Sequence, residues 1–141
     1  MEATFDPVRS ADPSTSNRSR WAGRVLSGVP VVFLIFDAVI KLVHIVPVVE
    51  ASARLGLPDH LVGGLAAVLL ACLTLYVVPR TAVLGAVLLT GYLGGAVAIH
   101  LRVGDPLLSH TLFPVYVGAM LWAGLFLRDP RVRAVVGPRR G

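Results

Sequence analysis

Sulfur chemistry is nearly absent from this chain, whose single cysteine is Cys72. Within one chain that excludes a disulfide framework, a CxxC redox pair and a cysteine-rich zinc site. The neighbours of Cys72 (Leu70, Ala71 and Leu73) are apolar, so it reads as a small buried hydrophobe and not as a thiol activated by positive charge. Charge is scarce too: 15% of the 141 residues are charged against 55% hydrophobic, and the mean hydropathy is +0.77. A soluble domain of this size could not bury so much apolar surface. Acidic residues are the scarcer sign, 8 against 13 Lys+Arg. In a soluble protein that excess would point to nucleic acid, but these arginines stand between apolar runs and form no basic face. Retention of arginine on the cytoplasmic side of a lipid bilayer accounts for them instead, and nucleic acid is set aside as a partner.

What the chain does have is long apolar runs. A hydrocarbon layer of about 30 Å needs about 20 helical residues, and runs of that order occur at 24–46, 61–78, 82–101 and 111–127. Short connections carrying proline and charge separate them, which favours an up-down antiparallel arrangement. The expected fold is therefore all-α, an integral membrane four-helix bundle. Residues 1–23, rich in Ser, Arg, Asp and Pro, read as a flexible cytoplasmic tail too acidic for a signal peptide, and 129–141 as a basic one. With the N-terminus inside, Arg9, Arg18, Arg20, Arg24, Arg80, Arg128, Arg131, Arg133, Arg139 and Arg140 are cytoplasmic, and only Arg54 and Arg102 lie outside. That bias predicts both termini in the cytoplasm.

Small residues mark where helices can approach closely in lipid. The third span carries a GxxxG spacing at Gly91 and Gly95, a contact face either within the chain or for a dimer. Gly63, Gly64, Ala67 and Ala71 supply similar surfaces on the second span, and Gly118, Ala119, Ala123 and Gly124 on the fourth. Pro30 and Pro114 are expected near helix starts, where a missing N–H costs little.

Asp37, Lys41 and His44 interrupt the first span, and a charge in hydrocarbon costs about 2.5 to 3.5 kcal/mol on insertion scales. At about 100° per residue the three fall on one helix face, which must turn toward the bundle or a wet cavity. Asp37 four residues before Lys41 is the favourable order for an intrahelical ion pair, so the two could serve only to neutralise each other. His44, one turn nearer the outside, adds an imidazole, the side-chain type suited to exchanging a proton. Tyr92, among glycines, either reaches the Asp37 stripe or fills the space the glycines leave. His44, His60, His100 and His110 all map to the outward side with Glu50, Asp59, Arg102 and Asp105. No two of the histidines share a helical face at ligand spacing, so no metal site is assigned. Tyr76, Trp21, Trp122 and Phe126 read as packing or interface aromatics.

Several segments resemble the DoxX-like family of small four-helix bacterial membrane proteins. They are Phe-Asp-Ala-Val-Ile-Lys-Leu at 36–42, Pro-Arg-Thr-Ala-Val-Leu-Gly-Ala at 79–86, Leu-Thr-Gly-Tyr-Leu-Gly-Gly-Ala at 89–96, His-Leu-Arg-Val-Gly at 100–104 and Leu-Phe-Pro-Val-Tyr at 112–116, with Trp122 and 127–131 beyond. The resemblance implies a multi-pass protein of the bacterial inner membrane, associated with an oxidoreductase. Founding members resemble a membrane subunit of a thiosulfate:quinone oxidoreductase, and others accompany redox and thiol-handling systems. Without a cysteine pair, thiol–disulfide exchange is disfavoured here. In a quinone-handling role Asp37, Lys41, His44, Tyr92 and His100 would line a polar pocket open to the outer leaflet, shared with a lipophilic small molecule and served by a redox partner protein. Lys41 or Tyr92 would hydrogen-bond a carbonyl oxygen, and His44 would exchange the proton. The same residues would also suit a stand-alone acid–base isomerase or cyclase acting on a hydrophobic molecule. A non-catalytic structural membrane partner is the third possibility.

Overall fold

The computed structural model describes residues 13–136; residues 1–12 and 137–141, which carry much of the two expected tails, lie outside the described residues. The elements in chain order are α1 (Pro13–Val43), α2 (Val46–Arg54), α3 (Asp59–Val77), α4 (Ala82–Val103), a π-helical turn (Leu107–Thr111), α5 (Phe113–Arg128) and α6 (Pro130–Val136), with no strand among the described residues. Four stretches are long and apolar enough to cross a membrane: Asn17–Val43, Asp59–Val77, Ala82–Val103 and Leu107–Arg128. The chain is thus an all-α bundle built for a bilayer. Large apolar side chains such as Phe36, Leu84, Val87 and Leu108 remain on its surface, where lipid and not water would meet them.

Helix α1 begins earlier than expected and also ends earlier. Its 31 residues reach into the segment read as a tail and give it a length of about 46 Å, more than the hydrocarbon layer, so its first turns carry exposed Arg18 and Arg20 beyond the apolar zone. This places Pro30 inside the helix and not near its start, contrary to expectation, where it leaves the carbonyl of Leu26 without its usual helical donor. Pro114 does lie in the first turn of α5. At the other end α1 stops at Val43. His44 takes a left-handed conformation (φ 52°), Ile45 is extended, and the chain turns into α2, a short helix within the connection between the first two spans.

Helix α1 borders α3 and α5, and α4 borders the same two, so α1 and α4 face each other across the diagonal. Toward the arginine-bearing end α1 and α5 approach closely. A Cβ on Gly124 would collide with the side chain of Ser27 and lie 2.7 Å from its backbone N, and one on Gly23 would lie 2.8 Å from Arg128 N. These small residues let α1 and α5 touch backbone to backbone. Tyr76 fills the remaining space. It is fully buried, its hydroxyl donates to Leu121 O at 2.7 Å and hydrogen-bonds Ser27 Oγ at 2.9 Å, and the guanidinium of Arg128 lies 4.6 Å from its ring centre. Tyr76 is therefore a core residue with a satisfied polar tip, not an interface aromatic. Trp122 Nε1 donates to Thr90 Oγ1 at 2.8 Å and ties α5 to α4. By contrast, a Cβ on Gly91, Gly94 or Gly95 would meet nothing within 4 Å, so the GxxxG spacing makes no close helix contact within the chain.

Candidate functional site

The histidine-bearing end holds a cavity of about 370 Å³ on the diagonal between α1 and α4. Its walls are apolar: Phe33 and Leu34 from α1, Val62 and Leu65 from α3, Ala96 and Ile99 from α4, and Phe113 and Val117 from α5. Gly91 and Gly95 also face it, so the absent side chains of the GxxxG spacing help to make the space. Phe33 and Phe113 meet edge to face in its wall, ring centres 5.3 Å apart. Ser52, Leu55 and Leu57 from α2 and the turn after it form the roof.

Into this apolar space project Asp37, Lys41, Tyr92 and His100. One helical turn separates Asp37 from Lys41, and Lys41 Nζ donates to Asp37 Oδ2 at 2.5 Å with each side chain about a quarter exposed, 28% and 25%. Pairing lowers the cost of both charges at this depth while leaving two of the three ammonium protons of Lys41 unclaimed by Asp37. Tyr92 comes from the diagonal helix; no direct hydrogen bond joins it to Asp37 among the described residues, and its hydroxyl is a further donor in the same space.

His100 is held by a device that spans the end of α4. Gly104 has φ 74°, Gly104 N donates to Leu101 O, and Asp105 N donates to His100 O at 3.1 Å, the paired hydrogen bonds of a Schellman terminus. This folds residue 105 back over residue 100, where an apolar contact is usual. Here the contact is polar, His100 Nδ1 to Asp105 Oδ2 at 2.6 Å. With the carboxylate accepting, Nδ1 is the donor, and in the neutral ring this leaves Nε2 as the acceptor. The hydrogen bond from His100 holds the Asp105 carboxyl below its ordinary range, so it stays ionised near neutral pH. The role of Asp105 was missed in the sequence, although glycine four residues after a histidine and directly before an aspartate at a helix end is the available signal.

A second terminus of the same kind ends α2. Gly56 (φ 70°) donates to Ala53 O, and Leu57 N donates to Ser52 O at 2.9 Å, which turns Leu57 back toward Ser52 over the cavity. Arg102, in the last turn of α4, donates from Nη2 to Leu55 O at 2.7 Å and occupies the space a Cβ on Gly56 would need. One arginine thus fastens the roof to the far wall.

His44 does not join this group. Because α1 ends at Val43, the helical phase that aligned it with Asp37 and Lys41 is lost. The ring is exposed, Nδ1 donates to Leu42 O at 3.0 Å and Nε2 lies 3.8 Å from Asp59 Oδ1. His110 bonds Ser109, with its ring centre 6.4 Å from that of His100. Among the described residues no three His, Cys, Asp or Glu side chains converge as metal ligands would.

Four helices long and apolar enough to span a membrane, around a polar-headed, apolar-walled cavity, define a small multi-pass membrane protein. The model of the DoxX-like family matches residues 25–124, from α1 to the penultimate turn of α5, and the chain belongs to that family. No curated protein and no solved structure matches it.

Proposed function

We propose that the protein holds the polar head of a lipophilic molecule, a quinone in the first instance, as the membrane component of a redox system. One observation carries the proposal: Lys41 with Asp37, Tyr92 and His100 meet in a single apolar-walled cavity whose volume suits a small-molecule site. The walls accept an aromatic or alkyl body, and Lys41 Nζ and Tyr92 Oη are donors for a carbonyl oxygen. Reduction of a quinone to a quinol consumes two electrons and two protons. A partner oxidoreductase supplies the electrons, and His100, not His44, passes protons through Nε2 while Asp105 steadies the imidazolium.

The test is retention of ubiquinone or menaquinone by the full chain purified in mild detergent, read by absorbance and native mass spectrometry. Lys41→Met and Tyr92→Phe should each lower affinity roughly tenfold, the worth of one hydrogen bond in an apolar site. Retention equal in wild type and both variants, or no quinone at all, would sink the proposal.

The His100–Asp105 hydrogen bond of 2.6 Å favours a second reading, an acid–base isomerase or cyclase acting on a hydrophobic molecule, with His100 as base and the Lys41 ammonium, paired with Asp37, as the proton donor. Turnover by the purified chain without an electron donor, lost in His100→Ala, distinguishes it from quinone handling. In either case the arginine-bearing end faces the cytoplasm of a bacterial inner membrane and the cavity opens toward the outer leaflet. Ten arginines on that side against two on the other support this orientation.

A further inference from the structure

At the opposite end from the polar cavity, Arg24 of α1, Arg80 of the α3–α4 turn, Arg128 of α5 and Arg131 of α6 surround a second cavity of about 390 Å³. Four cations from four separate elements face one space, against a single carboxylate among the described residues, Asp129. That carboxylate is already engaged, since Asp129 Oδ1 accepts from Arg131 N at 2.9 Å and caps α6. No described acidic side chain forms an ion pair with any of the four arginines. Arg128 is fixed in place, donating to Tyr76 O at 3.0 Å and stacked on the Tyr76 ring, so one wall of the cavity is preorganised. On α6 the Nε of Arg133 is buried without a protein partner, adding an unanswered donor at the same end. Mutual repulsion among such cations is relieved by an anion, and planar guanidinium groups match the oxygens of a phosphate.

We infer that this cavity binds the phosphate of an anionic phospholipid headgroup from the adjoining leaflet. A lipid source is favoured over free phosphate because exposed apolar residues adjoin the cavity in sequence: Val25 next to Arg24, Val77 and Val78 before Pro79, and Val83 and Leu84 after Ala82. An acyl chain can lie on these while its phosphate meets the arginines.

The experiment is native mass spectrometry of the full chain in detergent titrated separately with phosphatidylglycerol, phosphatidylcholine and inorganic phosphate. The expected result is one tightly held phosphatidylglycerol, preferred over phosphatidylcholine by roughly tenfold or more. The triple variant Arg24→Gln/Arg80→Gln/Arg131→Gln should weaken that binding about a hundredfold, while Arg18→Gln/Arg20→Gln, which removes charge at the same end but outside the cavity, should leave it within about twofold. Should the triple variant fold poorly, Arg80→Gln alone, in an exposed turn, should cost about fivefold. Undiminished phosphatidylglycerol binding in the cavity variants would overturn the inference. So would equal loss in Arg18→Gln/Arg20→Gln, or occupancy by inorganic phosphate without phosphatidylglycerol.

Discussion

Asp37 and Lys41 are the pair through which the first span tolerates charge. Removing one partner strands the other in an apolar cavity, whereas removing both strands nothing. Asp37→Asn and Lys41→Met should therefore each destabilise by about 1 to 3 kcal/mol, reduced from the fully buried case because the pair is partly exposed, and the double variant should cost less than the sum. Thermal unfolding in detergent across the double-mutant cycle measures this; strict additivity would show that the two charges do not depend on each other. Asp105 gives a pH prediction. Its pKa is held below that of the unfolded chain, so its contribution to stability is complete above the ordinary carboxylate value of about 3.9 and is lost as pH falls through the lower folded value. Wild type should thus lose thermal stability on acidification from about pH 4 downward, and Asp105→Asn should show a weaker acid limb while starting from a lower melting temperature at neutral pH. Parallel acid limbs in the two proteins would contradict this.

Among elements, the glycines divide into those that join helices and those that leave room. Gly124→Ala forces a methyl group into Ser27 and should push α1 from α5, lowering stability by about 1 to 3 kcal/mol. Gly95→Ala meets open space and improves helix propensity, so it should be neutral or stabilising by up to about 1 kcal/mol while narrowing the polar cavity and weakening any ligand there. Melting temperatures of the two variants, with quinone retention for the second, check the contrast. The spacing that stands out in the sequence is the GxxxG of α4, yet the close approaches are made by Gly23, Ser27 and Gly124 between α1 and α5, and by Gly85 against the Tyr76 backbone between α4 and α3. A motif on one helix is visible along the chain, but a crossing needs small residues from two helices at one depth, and nothing local records that coincidence. The polar stripe fails for a related reason: it assumed that α1 continues through His44, whereas the left-handed turn at that residue ends the helix and redirects the ring.

For the whole molecule, the two ends have opposite characters. At the arginine-bearing end α1 and α5 meet by backbone contact and the Tyr76 hydrogen bonds, beside a cavity ringed by guanidinium groups, whereas the histidine-bearing end opens around an apolar-walled cavity roofed by α2. Alkaline phosphatase and fluorescent reporters fused after residue 141 should report a cytoplasmic C-terminus, fluorescent and without phosphatase activity. Phosphatase activity there would reverse the proposed orientation and turn the polar cavity toward the inner leaflet.

The apolar runs, their lengths and the charge between them are properties of consecutive residues, so the amino-acid sequence by itself determined four spans, the all-α class and the need for a partner at Asp37 and Lys41. Its motifs were also enough for the resemblance to the DoxX-like family. Tertiary structure decided which polar groups share a space. It brought Tyr92 and His100 across the diagonal to Asp37 and Lys41, left His44 outside, and folded Asp105 back onto His100 through the left-handed Gly104. Those outcomes depend on where helices end and how two backbones cross, which are set by packing between residues far apart in the chain.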